Sequence, residues 1–365
     1  MAEEYTAKQM LARLVGFPTV SRDSNLALIG FVRDYLASHG VESRLVASED
    51  GTKANLYAQI GPDAPGGVIL SGHTDVVPVD GQSWSSDPFT LTERDGRLYG
   101  RGAVDMKGFD AIALALVPQM LRAGLKRPIQ IALSYDEEVG CRGAPAMIAE
   151  MRRTLPPAAA VLVGEPTMMR VVSGHKASAS VTTTVTGYEV HSSLVHQGVS
   201  AIMAAARLVQ WHADRMAENR AAADPDSIFD PAFTTLHVGL IQGGTARNIT
   251  ARTCVFSSDF RVLPGEDPFD WIARYRAFCA EVAAELRAVR PEAAIDVAGD
   301  WAIPGCAPEP GGKAEALARM LTGDNSTNVV SYGTEAGQFP AAGYSAVVVG
   351  PGSIEQAHKP DEYIT

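Results

Sequence analysis

Hydrophobic and polar residues alternate along the first half of the chain with two different periods. Residues 25–40 (NLALIGFVRDYLASHG) place apolar side chains at helical spacing and end on Gly40, a frequent C-terminal stop. Short apolar runs that favour strands follow, each ended by a polar or glycine-rich turn: NLYAQI, GVILSG, IQIALS and AAVLVG. Between the second and third runs lies a helix-length apolar segment, residues 107–124. This alternation predicts an α/β fold with a mostly parallel sheet covered by helices.

The pattern changes after Ser178, where runs typical of antiparallel strands with one solvated face are separated by long helical segments. The strand-like segments are 178–187, 233–244 and 249–264, and the helical ones are 198–218 and 267–289. Sheet-like runs of the first kind return near the end of the chain, at 328–333 and 344–350. We therefore expect a smaller α+β domain at 178–289, inserted into a catalytic domain formed by 1–177 and 290–365.

Composition narrows the functions open to this chain. Its 365 residues suggest about two domains, and 46% hydrophobic residues provide for a large core. The formal net charge of −11 argues against nucleic acid or an anionic membrane surface as a partner. No apolar run approaches the ~20 residues of a membrane span. Because the four cysteines form no C-x-x-C pair and the amino terminus lacks the apolar core of a signal peptide, we expect a cytoplasmic protein.

Acidic residues and histidines follow the predicted strands at the points where the strands end. They are His73 and Asp75 in GHTDVV, Asp105 in RGAVDMKG, Glu137 and Glu138 in SYDEEVG, Glu165 in VGEPT and His358 in EQAHKP. Each has an ordinary alternative when taken alone: a turn histidine, a helix cap, a solvated glutamate pair or an incidental loop histidine. Because open α/β sheets bind ligands at the carboxyl ends of their strands, the whole set points to one site.

A mixture of nitrogen and oxygen ligands of this kind suits Zn²⁺. One aspartate has two oxygens, so it can bridge two ions ~3.5–4 Å apart, as in two-metal hydrolases. A calcium site would rarely recruit histidines, and no cysteine pair supports a structural zinc. The glycines before Asp105 are not a dinucleotide fingerprint, because Asp105 occupies the place of the third glycine and would repel a pyrophosphate.

Through SGHTDVVPVD, LYGRGAVDMKG, SYDEEVG, GEPT and the late histidine loop, the chain resembles the M20 metallopeptidase and deacylase family over almost its whole length. The resemblance implies two zinc ions per chain, with cobalt as an alternative ion. The implied terminal ligands are His73, Glu138, Glu165 and His358. Asp105 would bridge the two ions, Asp75 would orient a ligand histidine, and Glu137 would be the general base.

The resemblance also implies a homodimer formed through the inserted domain, and contacts with the substrate. His191 in TGYEVHSS would stabilise the oxyanion in its own or the partner's site, unless it is a surface histidine. Asn248 in GGTARNITA and Arg261 in DFRVLPG would bind a substrate carboxylate, unless they are ordinary sheet-surface residues. Thr334 and Glu335 in GTEAG would contact the polar end of the substrate, with Glu335 pairing with a side-chain ammonium.

The stretches GTEAGQF and GPGSIEQAHKPDEYI resemble the acetylornithine-deacetylating members more closely than the succinyl-diaminopimelate desuccinylases or the carboxypeptidases of the family. The expected reaction is therefore hydrolysis of a small N-acyl amino acid, acetylornithine, to acetate and ornithine. Another deacylase of the family, acting on a different N-acyl amino acid, is the nearest alternative. A metal-binding scaffold without turnover is the alternative of another class. Glu137 argues against it, because a binder needs ligands but no base.

Overall fold

The structure, a computed structural model, describes residues 3–365. Its helices are α1 (Ala7–Val15), α2 (Leu26–Ser38), α3 (Lys107–Ala115), α4 (Val117–Arg122), α5 (Ala144–Thr154), α6 (Ala201–Ala221), α7 (Pro268–Val289), α8 (Lys313–Thr322) and α9 (Gln338–Ala341). Its strands are β1 (Ser43–Ala47), β2 (Ala54–Ile60), β3 (Val68–His73), β4 (Thr92–Arg94), β5 (Arg97–Tyr99), β6 (Ile129–Ser134), β7 (Ala160–Val163), β8 (Val172–His175), β9 (Ala177–Thr186), β10 (Thr235–Gly243), β11 (Thr253–Val262), β12 (Ala294–Ala298), β13 (Ala302–Ile303), β14 (Asn328–Val330), β15 (Ala346–Val348) and β16 (Tyr363–Ile364). Short 3₁₀ turns occupy Ser192–Gln197, Glu335–Gly337 and Ile354–Gln356.

The helix predicted at 107–124 is two helices, α3 and α4, which meet at Leu116. Pro118 lies in the first turn of α4 and has no backbone N–H to continue the hydrogen bonds of α3. The apolar spacing therefore predicted helical structure correctly, but it did not indicate the interruption between α3 and α4. Of the helices within residues 3–365, none combines the length and the apolar character that crossing a bilayer requires.

The chain forms two compact units. The first unit runs to Gly174 and resumes at Pro308–Asn328 and Thr334–Thr365, and the second consists of His175–Ala307 and Val329–Gly333. A large sheet has the strand order β1-β2-β6-β3-β7-β15-β8-β14. Its central strands β6, β3, β7 and β15 are parallel, whereas β1, β2 and β8 pair antiparallel. The predicted α/β class is confirmed, with the parallel strands at the centre of the sheet.

The parallel centre of this sheet brings the ends of several strands to one edge. His73, the last residue of β3, pairs in register with Ser134, the last residue of β6. Ser71 of β3 pairs with Val163, the last residue of β7. The acidic residues that follow β6 and β7 therefore start from the same edge as His73. Consecutive residues of β6 and β7 are buried, and one core packs Leu56, Ile131 and Leu133 with residues of α1 and α2.

The second unit is an antiparallel sheet of order β10-β11-β9-β12, with β13 pairing a further part of β9. Alternate residues of β9 and β11 are buried, and one face packs with α6 and α7 around Leu208, Phe256 and Tyr275. The predicted end of the inserted domain at Val289 falls short of this unit. Because β12 and β13 complete the sheet, the unit continues to Ala307.

Candidate metal centre

His73 lies at the centre of a first group of ligands, at the carboxyl end of β3. Its side chain is fully buried. The ring atom Nε2 is 3.1 Å from Oδ1 of Asp105 and 3.8 Å from Oε1 of Glu165. The other ring atom, Nδ1, is 2.9 Å from the backbone carbonyl oxygen of Asp75. His73 therefore presents Nε2 to two buried carboxylates, and we call His73, Asp105 and Glu165 the first triad.

A second group shares Asp105 with the first. Oδ2 of Asp105 is 3.3 Å from Nε2 of His358, and the same nitrogen is 3.0 Å from Oε2 of Glu138. The Glu138 side chain is 7% exposed and the His358 side chain 53%, so this group reaches the surface. We call Asp105, Glu138 and His358 the second triad. Asp105 belongs to both triads and uses a different oxygen for each histidine.

Glu137 lies close to the first triad but has a partner of its own. Donor atoms of Glu137, His73 and Glu165 all lie within 4.8 Å of one another, so distance alone would allow Glu137 to bind an ion. Its Oε1, however, accepts a hydrogen bond from Sγ of Cys141 at 3.2 Å. The two adjacent glutamates therefore point to different partners, Glu138 to His358 and Glu137 to Cys141.

Asp75 has a broader role than the one predicted for it. Its Oδ1 is 3.6 Å from Nδ1 of His73, farther than the backbone carbonyl oxygen that the ring contacts. The carboxylate instead accepts hydrogen bonds from the backbone N–H groups of Glu137 at 3.1 Å and Glu138 at 3.3 Å. The hydroxyl of Ser21 also donates to it, at 2.7 Å. Asp75 therefore holds the turn that carries both glutamates, and nothing in the residues around Ser21 indicated that contact in advance.

Burial dominates the ionisation of the glutamates. It raises the pKa of Glu165 well above its ordinary value, and the neighbouring Asp105 and Glu137 raise it further. Burial also raises the pKa of Glu137 to about 8 and raises the pKa of Glu138. Removal of water disfavours the charged form of a carboxyl group, and like charges nearby act in the same direction. These acids therefore resist ionisation unless positive charge is supplied.

The histidines have the opposite behaviour. Burial disfavours the charged form of His73, but the hydrogen bond with Asp105 and the nearby carboxylate of Asp75 outweigh it and raise the pKa of His73 well above its ordinary value. Hydrogen bonds with Asp105 and Glu138 raise the pKa of His358 to about 10. Burial disfavours ionised Asp105, yet the two histidines lower its pKa. Protons on the imidazoles thus balance part of the negative charge of the cluster.

The donor set fits divalent cations. Two imidazole nitrogens and several carboxylate oxygens converge here, and these are ligands that Zn²⁺ accepts in proteins. A cation would replace the protons that the cluster holds and would offset the repulsion between its carboxylates. Asp105 faces both histidines through separate oxygens, which fits a residue shared by two ions. His73, Asp105 and Glu165, and Asp105, Glu138 and His358, are the residues that would hold them.

Glu362 positions the shared aspartate and was not among the predicted site residues. Its Oε1 accepts the backbone N–H groups of Val104 at 2.9 Å and Asp105 at 3.1 Å. Its Oε2 accepts a hydrogen bond from the buried guanidinium of Arg101 at 2.6 Å. Glu362 follows His358 by four residues in HKPDEYI, so its nearness to a predicted ligand was the available signal.

Thr334 and Glu335, which were predicted to contact the substrate, have hydrogen-bond partners within the first unit. Glu335 is fully buried, and its two carboxylate oxygens accept hydrogen bonds from the hydroxyls of Ser71 at 2.6 Å and Ser134 at 2.7 Å. Thr334 is also buried, and its hydroxyl accepts the backbone N–H of Ala336 at 3.1 Å. Glu335 therefore links β3 to β6, and its pairing with a substrate ammonium stays a prediction.

The remaining predicted residues belong to the second unit. His191 and Asn248 are exposed, and the backbone N–H of Ser192 donates to the carbonyl oxygen of Asn248 at 2.9 Å, so the two lie on neighbouring segments. Arg261 is partly exposed, and its Nε donates to Asp259 at 2.9 Å. The residues predicted to bind metal thus come together in the first unit, whereas these three stand apart from them in the chain, and their roles stay predictions.

Comparison with known proteins agrees with this chemistry. The sequence profile of Peptidase family M20/M25/M40, a family of metal-dependent hydrolases, matches residues 69–365. An acetylornithine deacetylase of Myxococcus xanthus is 35% identical over 97% of this chain and 91% of its own length. One from Proteus mirabilis (strain HI4320) is 34% identical over 98% and 91%. The crystal structure of an M20 family metallo-carboxypeptidase from Sulfolobus solfataricus has a TM-score of 0.76 at 19% identity, covering 99% of this chain and 95% of that one, which shows a shared fold.

Proposed function

The chain belongs to peptidase family M20/M25/M40 and is an amidohydrolase, and from this membership we propose that it removes the acetyl group from N-acetyl-L-ornithine. The products would be acetate and ornithine, in the biosynthesis of arginine. Support for this substrate comes from the two relatives named acetylornithine deacetylase, which match nearly the whole chain at 34% and 35% identity. The four cysteines are buried as free thiols, which agrees with the cytoplasmic location that we propose.

The observation that carries the proposal is the sharing of Asp105 between two triads, next to a glutamate that has a separate partner. We propose two Zn²⁺ ions per chain, or Co²⁺ in their place. His73 and Glu165 would hold one ion, Glu138 and His358 the other, and Asp105 both. When bound, such ions act as Lewis acids that polarise the acyl carbonyl group of the substrate.

Glu137 is the proposed general base. Its Oε2 would take a proton from the attacking water while the oxygen of that water bonds to the carbonyl carbon. The same proton would then pass to the amine nitrogen as the carbon–nitrogen bond breaks, so that ornithine leaves as a neutral amine. Burial raises the pKa of the Glu137 carboxyl group to about 8, which makes its carboxylate a stronger base, and the positive charge of bound ions would favour the ionised form that a base requires.

The second unit would supply the remaining contacts. We propose that His191 stabilises the oxyanion, and that Asn248 and Arg261 bind the substrate carboxylate. The support is the resemblance to the family together with exposure, since His191 and Asn248 are exposed and Arg261 is partly so. We also propose that the second unit joins two chains into a homodimer.

A panel of substrates tests the proposed activity. Zinc-loaded protein should hydrolyse N-acetylornithine with a higher kcat/KM than succinyl-diaminopimelate or N-acetylmethionine. A chelator should abolish the activity, and added zinc should restore it. A higher kcat/KM on another N-acyl amino acid would refute N-acetylornithine as the preferred substrate, but it would still support a deacylase activity. Absence of hydrolysis across the panel, with ions bound, would instead support a metal-binding scaffold.

A further inference from the structure

The thiol of Cys141 is placed against the proposed base by a tight turn. The backbone N–H groups of Gly140 and Cys141 both donate to the carbonyl oxygen of Glu137 at 2.9 Å. Cys141 has a φ of 52°, in the left-handed region, which turns its side chain back toward Glu137. Its Sγ then donates to Oε1 of Glu137 at 3.2 Å. Cys141 itself is fully buried.

The backbone of Cys141 is held from the opposite side as well. Nε2 of Gln338, at the start of α9, donates to the carbonyl oxygen of Cys141 at 2.8 Å. Gln338 is itself only 7% exposed, so both ends of this contact are inside the protein. The thiol is therefore fixed by its own turn and by a helix that is remote in sequence, and its position does not depend on the side chain of Glu137.

We propose that Cys141 is a positioning residue that keeps the base, Glu137, away from the metal ions by donating a hydrogen bond from its thiol to Oε1. The inference rests on the proposed function, in which Glu137 is the base. The donor atoms of Glu137 are within 4.8 Å of those of His73 and Glu165, so an unrestrained carboxylate at this position has an ion within reach. With Oε1 held by the thiol, Oε2 is left to accept the proton of water.

The chemistry of a buried thiol suits this role and no other in the reaction. Burial raises the pKa of Cys141 well above its ordinary value, so the sulfur keeps its proton at neutral pH and donates. Reactive cysteines have a lowered pKa, because the thiolate is the nucleophile, and Cys141 has the opposite shift. A thiolate would also repel the adjacent carboxylate. Cys141 therefore acts through Glu137 and not on the substrate.

Three variants of Cys141 test the inference. In Cys141→Ala the donor is lost, and kcat should fall about tenfold with KM little changed, a typical effect of losing a hydrogen bond to a charged group. Titration of zinc into chelator-treated Cys141→Ala should also show tighter binding than in the wild type, because Glu137 is then free to join His73 and Glu165 as a ligand. Cys141→Ser keeps a donor and should stay within a few-fold of the wild-type kcat. Cys141→Gly also lacks a donor and adopts a φ of 52° without strain, and it replaces the alanine variant if that protein does not fold. Cys254→Ala, which removes a buried thiol in the second unit, is the matched control and should leave kcat unchanged.

A double variant separates this inference from the proposed function. If the thiol acts through Glu137, Cys141→Ala should cause no further loss of kcat in a Glu137→Gln background. Equal kcat in the wild type and in both donor-free variants, with Glu137→Gln strongly impaired, would overturn the inference and leave the proposed function. So would equal losses in the serine, alanine and glycine variants. Full activity of Glu137→Gln would overturn the proposed base, and with it both proposals.

Discussion

At the scale of single residues, the adjacent glutamates differ in the partners of their side chains. The backbone N–H groups of both glutamates donate hydrogen bonds to Asp75, which fixes the turn that carries them. Beyond the backbone, Glu138 contacts His358, whereas Glu137 contacts Cys141. A ligand must give its oxygen lone pairs to an ion, but a base must keep them for a proton. Two carboxylates side by side are therefore required if the two tasks are to be done at the same place.

The buried carboxylate of Glu335 has a structural role between two strands. Because both oxygens accept hydrogen bonds from Ser71 and Ser134, Glu335→Gln replaces one acceptor with a donor and should destabilise the edge of the sheet beneath His73. We expect a lower melting temperature and a kcat/KM that falls by a similar factor for N-acetylornithine and N-acetylmethionine. A loss of kcat/KM confined to N-acetylornithine, which has a side-chain ammonium, would support the predicted contact between Glu335 and that ammonium.

At the scale of strands and loops, the turn after β6 depends on one carboxylate from the loop after β3. Asp75→Asn would place an amide donor against a backbone N–H or against the Ser21 hydroxyl, so the positions of Glu137 and Glu138 should change together. We expect kcat/KM to fall about tenfold or more, and zinc to be lost more readily to a chelator. Ser21→Ala removes a single hydrogen bond to the same carboxylate and is the matched control. Unchanged zinc retention in Asp75→Asn would show that the turn does not need this carboxylate.

Much of this element-scale arrangement could be predicted from the sequence. The apolar runs marked β2, β3, β6 and β7, and the parallel pairing of β3, β6 and β7 then required the polar residues that follow these three strands to meet at one edge. The partners of those residues could not be predicted in this way. Ser21, Gln338 and Glu362 are distant in sequence from what they hold, and short-range patterns do not show which remote group a polar side chain reaches. Glu335 shows the same limit, because Ser71 and Ser134, which donate to it, are distant in sequence.

At the scale of the whole molecule, the charged cluster makes the stability of the metal-free protein depend on pH. Burial raises the pKa of Glu137 to about 8, and hydrogen bonds to Asp105 and Glu138 raise the pKa of His358 to about 10. In both cases the folded chain binds a proton more tightly than the unfolded chain does. The folded state therefore loses stability as the pH rises through the pKa values that Glu137 and His358 have in the folded chain.

Chelator-treated protein should accordingly have a lower melting temperature at about pH 9 than at about pH 6, because the protons that favour the folded cluster are lost. Zinc should raise the melting temperature more at the higher pH, where it no longer competes with those protons. Calorimetry of metal-free and zinc-loaded samples across this range gives the comparison. A metal-free melting temperature that rises with pH would show that the cluster does not hold its protons as described.

The proposed dimer has a physical basis in the second unit. β10 lies at the edge of its sheet and carries Leu240, 69% exposed, and Ile241, 52% exposed. An apolar edge strand favours pairing with another chain. We expect light scattering to give about twice the 38.6 kDa chain mass, and Leu240→Lys to shift the protein toward monomer. Met320→Lys, at a residue 73% exposed on α8, should leave the mass unchanged, and a dimer unaffected by Leu240→Lys would place the interface elsewhere.

The separate tasks of Glu137 and Glu138 are tested most directly by counting zinc in the two glutamine variants while measuring acetate release. Glu137→Gln should keep two ions per chain and lose on the order of 10²–10⁴ in kcat, the usual contribution of general base catalysis. Glu138→Gln should bind one ion weakly, and excess zinc should recover part of its activity. Loss of zinc from Glu137→Gln, with both ions retained in Glu138→Gln, would contradict the assignment and reverse the two roles.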